Sequence, residues 1–150
     1  MRPRRNLSLF LGQSMETRTR IAVADDHKAM QERIKTLLKS EFEVVATADN
    51  GQELVQAAGE LNPDVLVVDI SMPVLNGLDA VREIVKSGSK TKIIFLTVHE
   101  DPDMVPLCFD AGAQGFVVKS RLASDLIPAI RLVLSNRTYV SPTLPWESRL

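Results

Sequence analysis

The residues best equipped for chemistry are three aspartates, a threonine and a lysine: Asp25, Asp26, Asp69, Thr97 and Lys119. Each position, or the Asp25-Asp26 pair, directly follows a short apolar run, at residues 21–24, 65–68, 93–96 and 116–118. Three carboxylates gathered in one place repel one another and raise one another's pKa. A hard divalent cation removes that conflict. Mg²⁺ fits best, because it takes oxygen ligands and uses one or two carboxylates plus a phosphate oxygen; Mn²⁺ is the alternative. A lysine adds a compact positive charge, and a threonine a hydroxyl. No glycine-rich phosphate loop is present, so a bound nucleotide is not expected. An aspartate that attacks a phosphoryl donor fits better, with the cation and Lys119 offsetting charge on the transferring oxygens.

For these residues to meet, the apolar runs must be neighbouring parallel strands, with their carboxyl ends on one rim. The sequence supports that arrangement. Strands are predicted at 20–25, 44–48, 65–69, 92–97 and 115–118, alternating with helix-period segments. The first helix presents Met30, Ile34, Leu37 and Leu38 on one face. The second opens at Asp49-Asn50-Gly51 and stops at Asn62-Pro63. The third follows the loop at 71–77, and the fifth is predicted to begin at Ser124 as N-cap. The third and fourth runs are apolar without alternation, so both faces of the sheet are covered. These features predict an α/β, flavodoxin-like, doubly wound (βα)5 domain with a five-stranded parallel sheet in the order 2-1-3-4-5. In that order Asp25, Asp26 and Asp69 are neighbours.

The fourth helix is weakly encoded. Asp101-Pro102-Asp103 is a sound start, but Pro106 removes a backbone donor. The segment is expected to start late or be irregular, and to be short and mobile.

Bulk composition bounds the rest. The chain has 150 residues, 45% apolar residues and net charge −1. That indicates one domain, with no basic field for direct nucleic-acid binding. The single cysteine, Cys108, precludes an internal disulfide and suits a reducing, cytoplasmic setting. No apolar run approaches the ~18 residues of a membrane span. The boundaries expected are an extension at 1–18, a domain at 19–138 and a linker or tail at 139–150. The apolar stretch 7–11 is too short for a signal peptide, and Met15 is an alternative start.

Read in order, Ala24-Asp25-Asp26-His27, Val68-Asp69-Ile70-Ser71-Met72-Pro73-Val74-Leu75-Asn76-Gly77, Leu96-Thr97 and Gly112-Ala113-Gln114-Gly115-Phe116-Val117-Val118-Lys119 resemble the receiver domain of bacterial response regulators. The segments around 24–27, 112–120 and 139–142 are similar to the NarL/FixJ (LuxR-type) group. The resemblance implies that Asp69 accepts phosphate from a sensor histidine kinase. It implies that Asp26 binds Mg²⁺ directly, Asp25 through water, and that Asp69 and the Ser71 carbonyl complete the shell. Thr97 and Lys119 bind the phosphoryl group, and Thr97 with Phe116 forms a switch. Core packing alone accounts for Phe116 equally well. The resemblance also sets Ser71 and His99 beside the path of the hydrolytic water, tuning phosphate lifetime, though a plain solvent-exposed loop histidine accounts for His99 equally well; His27 is read as structural or helix-capping.

Two departures from the family pattern stand out. Ser120 replaces the usual proline after the lysine, and Val98 the usual small residue after the threonine. The implied output is a changed face of the fourth helix, fifth strand and fifth helix. It includes a homodimer on activation and a helix-turn-helix DNA-binding domain that this sequence does not contain. The chain is thus expected to be a self-modifying signalling domain and not a turnover enzyme. Two rivals are a haloacid-dehalogenase-type phosphatase, which needs an acid where Ser71 stands, and a stand-alone or phosphorylation-independent receiver that acts as a protein-interaction module.

Overall fold

The computed structural model describes residues 18–142. The expected extension, with Met15, and the tail beyond Pro142 lie outside the described residues. Twelve elements follow one another: β1 (Arg20–Ala24), α1 (Lys28–Leu38), β2 (Glu43–Ala48), α2 (Gly51–Leu61), β3 (Val65–Asp69), α3 (Gly77–Lys86), β4 (Lys92–Thr97), α4 (Met104–Ala111), β5 (Gly115–Val118), a 3₁₀ turn (Lys119–Arg121), α5 (Leu122–Leu134) and β6 (Tyr139–Val140). All strands pair in parallel, in the order β2-β1-β3-β4-β5-β6. The alternating βα architecture and the order of the first five strands match the sequence reading.

The sheet nevertheless has six strands, not five. Tyr139 and Val140, read as the start of a tail, pair with Gly115 and Phe116. Two residues are too short for a periodicity signal, so only the neighbouring strand reveals them.

The pleat explains the two layers. Along β3, Leu66 and Val68 point into one cluster, with Leu54 and Ala58 of α2, Ala80, Val81 and Ile84 of α3, and Val105 and Cys108 of α4. Val65 and Val67 point into the other, with Ile34 and Leu38 of α1 and Leu122, Leu126, Ala129 and Ile130 of α5. Each fully buried aliphatic side chain contributes about 1.5–3 kcal/mol. Both faces of the central strands are therefore sealed by helices, and only the strand ends meet solvent.

Caps fix where the helices start. The Asn50 side chain accepts from the Glu53 N–H, and the Asn76 side chain from the Asp79 N–H, each at 2.9 Å. Asn62 ends α2 in the left-handed region at φ +46. Two starts differ from expectation. Helix α5 begins at Leu122, not after Ser124, because the 3₁₀ turn runs directly into it. The Ser124 hydroxyl instead meets the Arg121 carbonyl and the Asp125 carboxylate. Helix α4 is short, as expected, and begins at Met104. Pro106 stands in its first turn, where no intrahelical donor is required. The sequence reading also passed over Pro128, which α5 carries in its interior.

Candidate functional site

The carboxyl ends of β1, β3, β4 and β5 bring the sequence-selected residues onto one rim. Asp25 and Asp26 follow β1, Asp69 ends β3, Thr97 ends β4 and Lys119 follows β5. Asp25, Asp69, Thr97 and Lys119 are all buried, which for the two aspartates and the lysine is unusual unless they are paired. The pairing is a three-membered ion cluster. The Lys119 ammonium lies 2.7 Å from Asp25 Oδ2 and 3.2 Å from Asp69 Oδ2.

The lysine is thus shared unequally, and this shapes the electrostatics. Burial pushes the Asp69 carboxyl above its usual range, and the Asp25 charge acts the same way; Lys119 and the Ser71 N–H only partly offset them. Burial pulls the Lys119 ammonium down, but the hydrogen bond to Asp25 and the charges of Asp69 and Asp25 outweigh it, leaving the ammonium raised. Lys119 therefore stays cationic, while Asp69 is the undercompensated acid of the set.

Asp69 is held from both sides. Its Oδ1 accepts the Ser71 N–H at 3.2 Å, and its Oδ2 faces Lys119. Behind it, Gly77 opens α3 so close to β3 that a Cβ there would collide with the Asp69 carbonyl oxygen. The loop between them carries a tight turn. The Leu75 N–H donates to the Pro73 carbonyl at 2.7 Å, and Val74 sits at φ +69. A β-branched residue in that region is strained.

The acids fit a hard divalent cation. Ligand atoms of Asp25, Asp26, His27 and Asp69 lie within 4.8 Å of one another. Asp26 is the accessible acid of its pair, whereas Asp25 has no exposed surface and is committed to Lys119 and to the His27 N–H. A cleft of about 650 Å³, lined by Asp26, Ser71, Met72, Asn76 and Met104, opens beside them.

The structure corrects or refines several residue readings. His27 occupies the N-cap position of α1, but its side chain makes no capping bond. Its Nδ1 instead lies 3.1 Å from Asp26 Oδ1 and 3.4 Å from Asp25 Oδ1. His99 is exposed, and its N–H donates to Thr97 Oγ1 at 3.0 Å. Ser71 is also exposed and offers Asp69 only its N–H. Phe116 is fully buried opposite Phe95 in the β4–β5 register. The Lys119–Ser120 peptide is trans, and Val98 points to solvent.

Two participants escaped the sequence reading. Gln31, buried on α1, donates to the Asp25 carbonyl at 2.6 Å and to Asp49 at 2.7 Å, tying the Asp25 backbone to the end of β2. Asp125 is buried on α5, whose other buried residues are all apolar. A polar residue on each helix's apolar face was the available signal.

The response regulator receiver domain family matches residues 21–131. The chain is 34% identical over 129 residues to the transcriptional regulatory protein DegU of Brevibacillus brevis, covering 85% of this chain and 55% of that protein. It is 36% identical over 128 residues to the oxygen regulatory protein NreC of Staphylococcus carnosus (strain TM300), covering 83% and 59%. The chain thus spans little more than half the length of these relatives. A two-component response regulator of the LuxR family from Aurantimonas sp. SI85-9A1 superposes with a TM-score of 0.83 at 30% identity, covering 89% of this chain and 99% of that one.

Proposed function

The chain belongs to the response regulator receiver family, on its LuxR/NarL side, and from that premise we propose that Asp69 accepts a phosphoryl group from a sensor histidine kinase. The observation that carries this reading is the cluster at the rim: a buried, undercompensated carboxylate 3.2 Å from a buried ammonium, with an acidic neighbour open to solvent.

The steps follow from that arrangement. A carboxylate oxygen of Asp69 attacks the donor phosphorus in line, the donor's bond to phosphorus breaks, and an acyl phosphate forms at Asp69. Lys119, already cationic, takes one of the new oxygens as a charge-assisted partner. The Thr97 hydroxyl is the neutral donor on the adjacent strand. Asp26, Asp69 and the Ser71 carbonyl would hold Mg²⁺ or Mn²⁺, with Asp25 supporting the site from behind. A cation held there would supply positive charge against the transferring oxygens. Hydrolysis returns Asp69, with Ser71 and His99 flanking the path of the water.

The output side of the proposal is a shift of the α4–β5–α5 face, with Thr97 and Phe116 as the moving pair. Phosphorylation biases a two-state element of this kind. The partners are a kinase, a second copy of the chain on activation, and DNA through a helix-turn-helix domain of the longer protein. Relatives named as transcriptional regulators support the last point. The expected setting is the cytoplasm; no helix among the described residues is long and apolar enough to cross a membrane.

The test is intact mass after incubation with Mg²⁺ and a small acyl phosphate. The native chain gains one phosphoryl group and Asp69→Asn gains none. An equal gain on both chains, or none on either under rapid sampling, refutes the assignment.

A further inference from the structure

Lys119 is bracketed by a polar network, buried at Ser141 and Asp125, that the phosphorylation chemistry does not use. On one side, the Val118 N–H donates to Ser141 Oγ at 3.0 Å. On the other, the Arg121 guanidinium donates from Nε to Asp125 Oδ2 at 2.9 Å. The same Oδ2 accepts the Ser141 hydroxyl at 2.8 Å, and the Ser124 hydroxyl donates to Oδ1 at 2.9 Å. Ser141 has no exposed surface and Asp125 is 2% exposed. The residue before Lys119 and the residue two after it therefore converge on a single carboxylate.

The chemistry of the network is directional. An ionised aspartate accepts only, so the Ser141 hydroxyl donates its hydrogen bond to Asp125 and its oxygen is left to accept from the Val118 N–H. The Ser141 N–H donates to the Phe116 carbonyl at 3.0 Å, the last backbone rung between β6 and β5. The Ser141 side chain then supplies the next rung, where the chain turns away at Pro142. The Val118 N–H is buried, and a buried donor without a partner is costly. The Asp125 carboxyl is held below its usual range: burial pushes it up, but Arg121, Ser141 and Ser124 outweigh burial.

We propose that Ser141 and Asp125 are positioning residues for Lys119, so that the sixth strand sets where the ammonium stands relative to Asp69. The inference rests on the reading of Asp69 as phosphoacceptor. Neither residue touches a reacting atom: Ser141 holds the Val118 N–H beside Lys119, and Asp125 holds the Ser141 hydroxyl and the Arg121 guanidinium. Small misplacements of a charge-bearing group are costly in rate.

The experiment uses the full chain as native, Ser141→Ala and Asp125→Asn, both near-isosteric changes. Three quantities are measured: the rate of Asp69 phosphorylation by a small acyl phosphate at saturating Mg²⁺, the Mg²⁺ Kd by calorimetry, and the Lys119 side-chain NMR resonances. The proposal predicts a rate lowered about tenfold in each variant, a shifted Lys119 signal, and a Mg²⁺ Kd within about twofold of native, because no cation ligand has moved. Native rates with an unmoved Lys119 signal overturn the inference and leave the phosphoacceptor reading intact. A Mg²⁺ Kd that weakens in step with the rate also overturns it, since the damage is then general. If one variant fails to fold, the other carries the comparison; if both fail, the network is a structural clasp only. No phosphate on the native chain overturns the underlying reading and this inference with it.

Discussion

Removing the lysine charge tests the electrostatics of the site most sharply. In Lys119→Met a side chain of similar length remains, but Asp25 and Asp69 lose their common counterion. The native separations are 2.7 Å and 3.2 Å. At an effective dielectric of about 20, each pair is worth about 5–6 kcal/mol of gross attraction. Desolvation of the three groups offsets much of it, and breaking a buried ion pair from one side costs about 3–5 kcal/mol in practice. The rim is open at Asp26, so water softens the effect toward the lower figure. We expect Lys119→Met to be about 3 kcal/mol less stable than the native chain in urea unfolding at pH 7 without divalent cation. Mg²⁺ should then restore more stability to the variant than to the native chain, because it becomes the only counterion; a ligand at about 100 times its Kd adds about 2.7 kcal/mol. Equal stability of the two chains without cation, or equal increments with it, refutes the ion-cluster account.

Further predictions address other parts of the structure. Gly77→Ala forces a Cβ against the Asp69 carbonyl; it should destabilise by about 1–3 kcal/mol and slow phosphate uptake, read by urea melts and intact mass. Val74→Gly should relax the strained turn at φ +69. Relief of about 1–3 kcal/mol less the glycine entropy cost of about 0.5–1 kcal/mol gives a gain of about 1 kcal/mol in the same melts. Asp125 has a folded pKa below its unfolded one. Its contribution is therefore full above about pH 4, the unfolded value, and is lost as pH falls through the folded value. Asp125→Asn should flatten the stability profile in that acid range. Asp69 has the opposite sign, a folded pKa raised mainly by burial. Its ionisation therefore costs stability as pH rises past the unfolded value, and Asp69→Asn should make the cation-free chain more stable at pH 7.

The parts of the fold legible in the sequence are those that repeat. Apolar runs such as Val65–Asp69 and Lys92–Thr97 are buried on both faces, so their composition alone marks central parallel strands. Once the order is known, the strand ends collect Asp25, Asp69, Thr97 and Lys119 without further information. What escaped depends on long-range partners. Strand β6 has two residues and exists only against β5. The start of α5 is decided by the 3₁₀ turn after Lys119 and not by the local preference of Ser124 for a cap. The roles of Asp125 and Ser141 require contacts across 16 and 23 residues of chain. The His27 ring faces the carboxylates because of its rotamer, which spacing does not encode.

The central claim is that Asp69 itself carries the phosphoryl group, and position-resolved chemistry tests it most directly. The native chain is phosphorylated with a small acyl phosphate and Mg²⁺, reduced at once with borohydride, digested and mapped by mass. Reduction converts an aspartyl phosphate to homoserine. The account predicts homoserine at position 69 and at no other aspartate. Conversion at Asp25 or Asp26, or none anywhere while the intact mass shows a phosphoryl group, would contradict it.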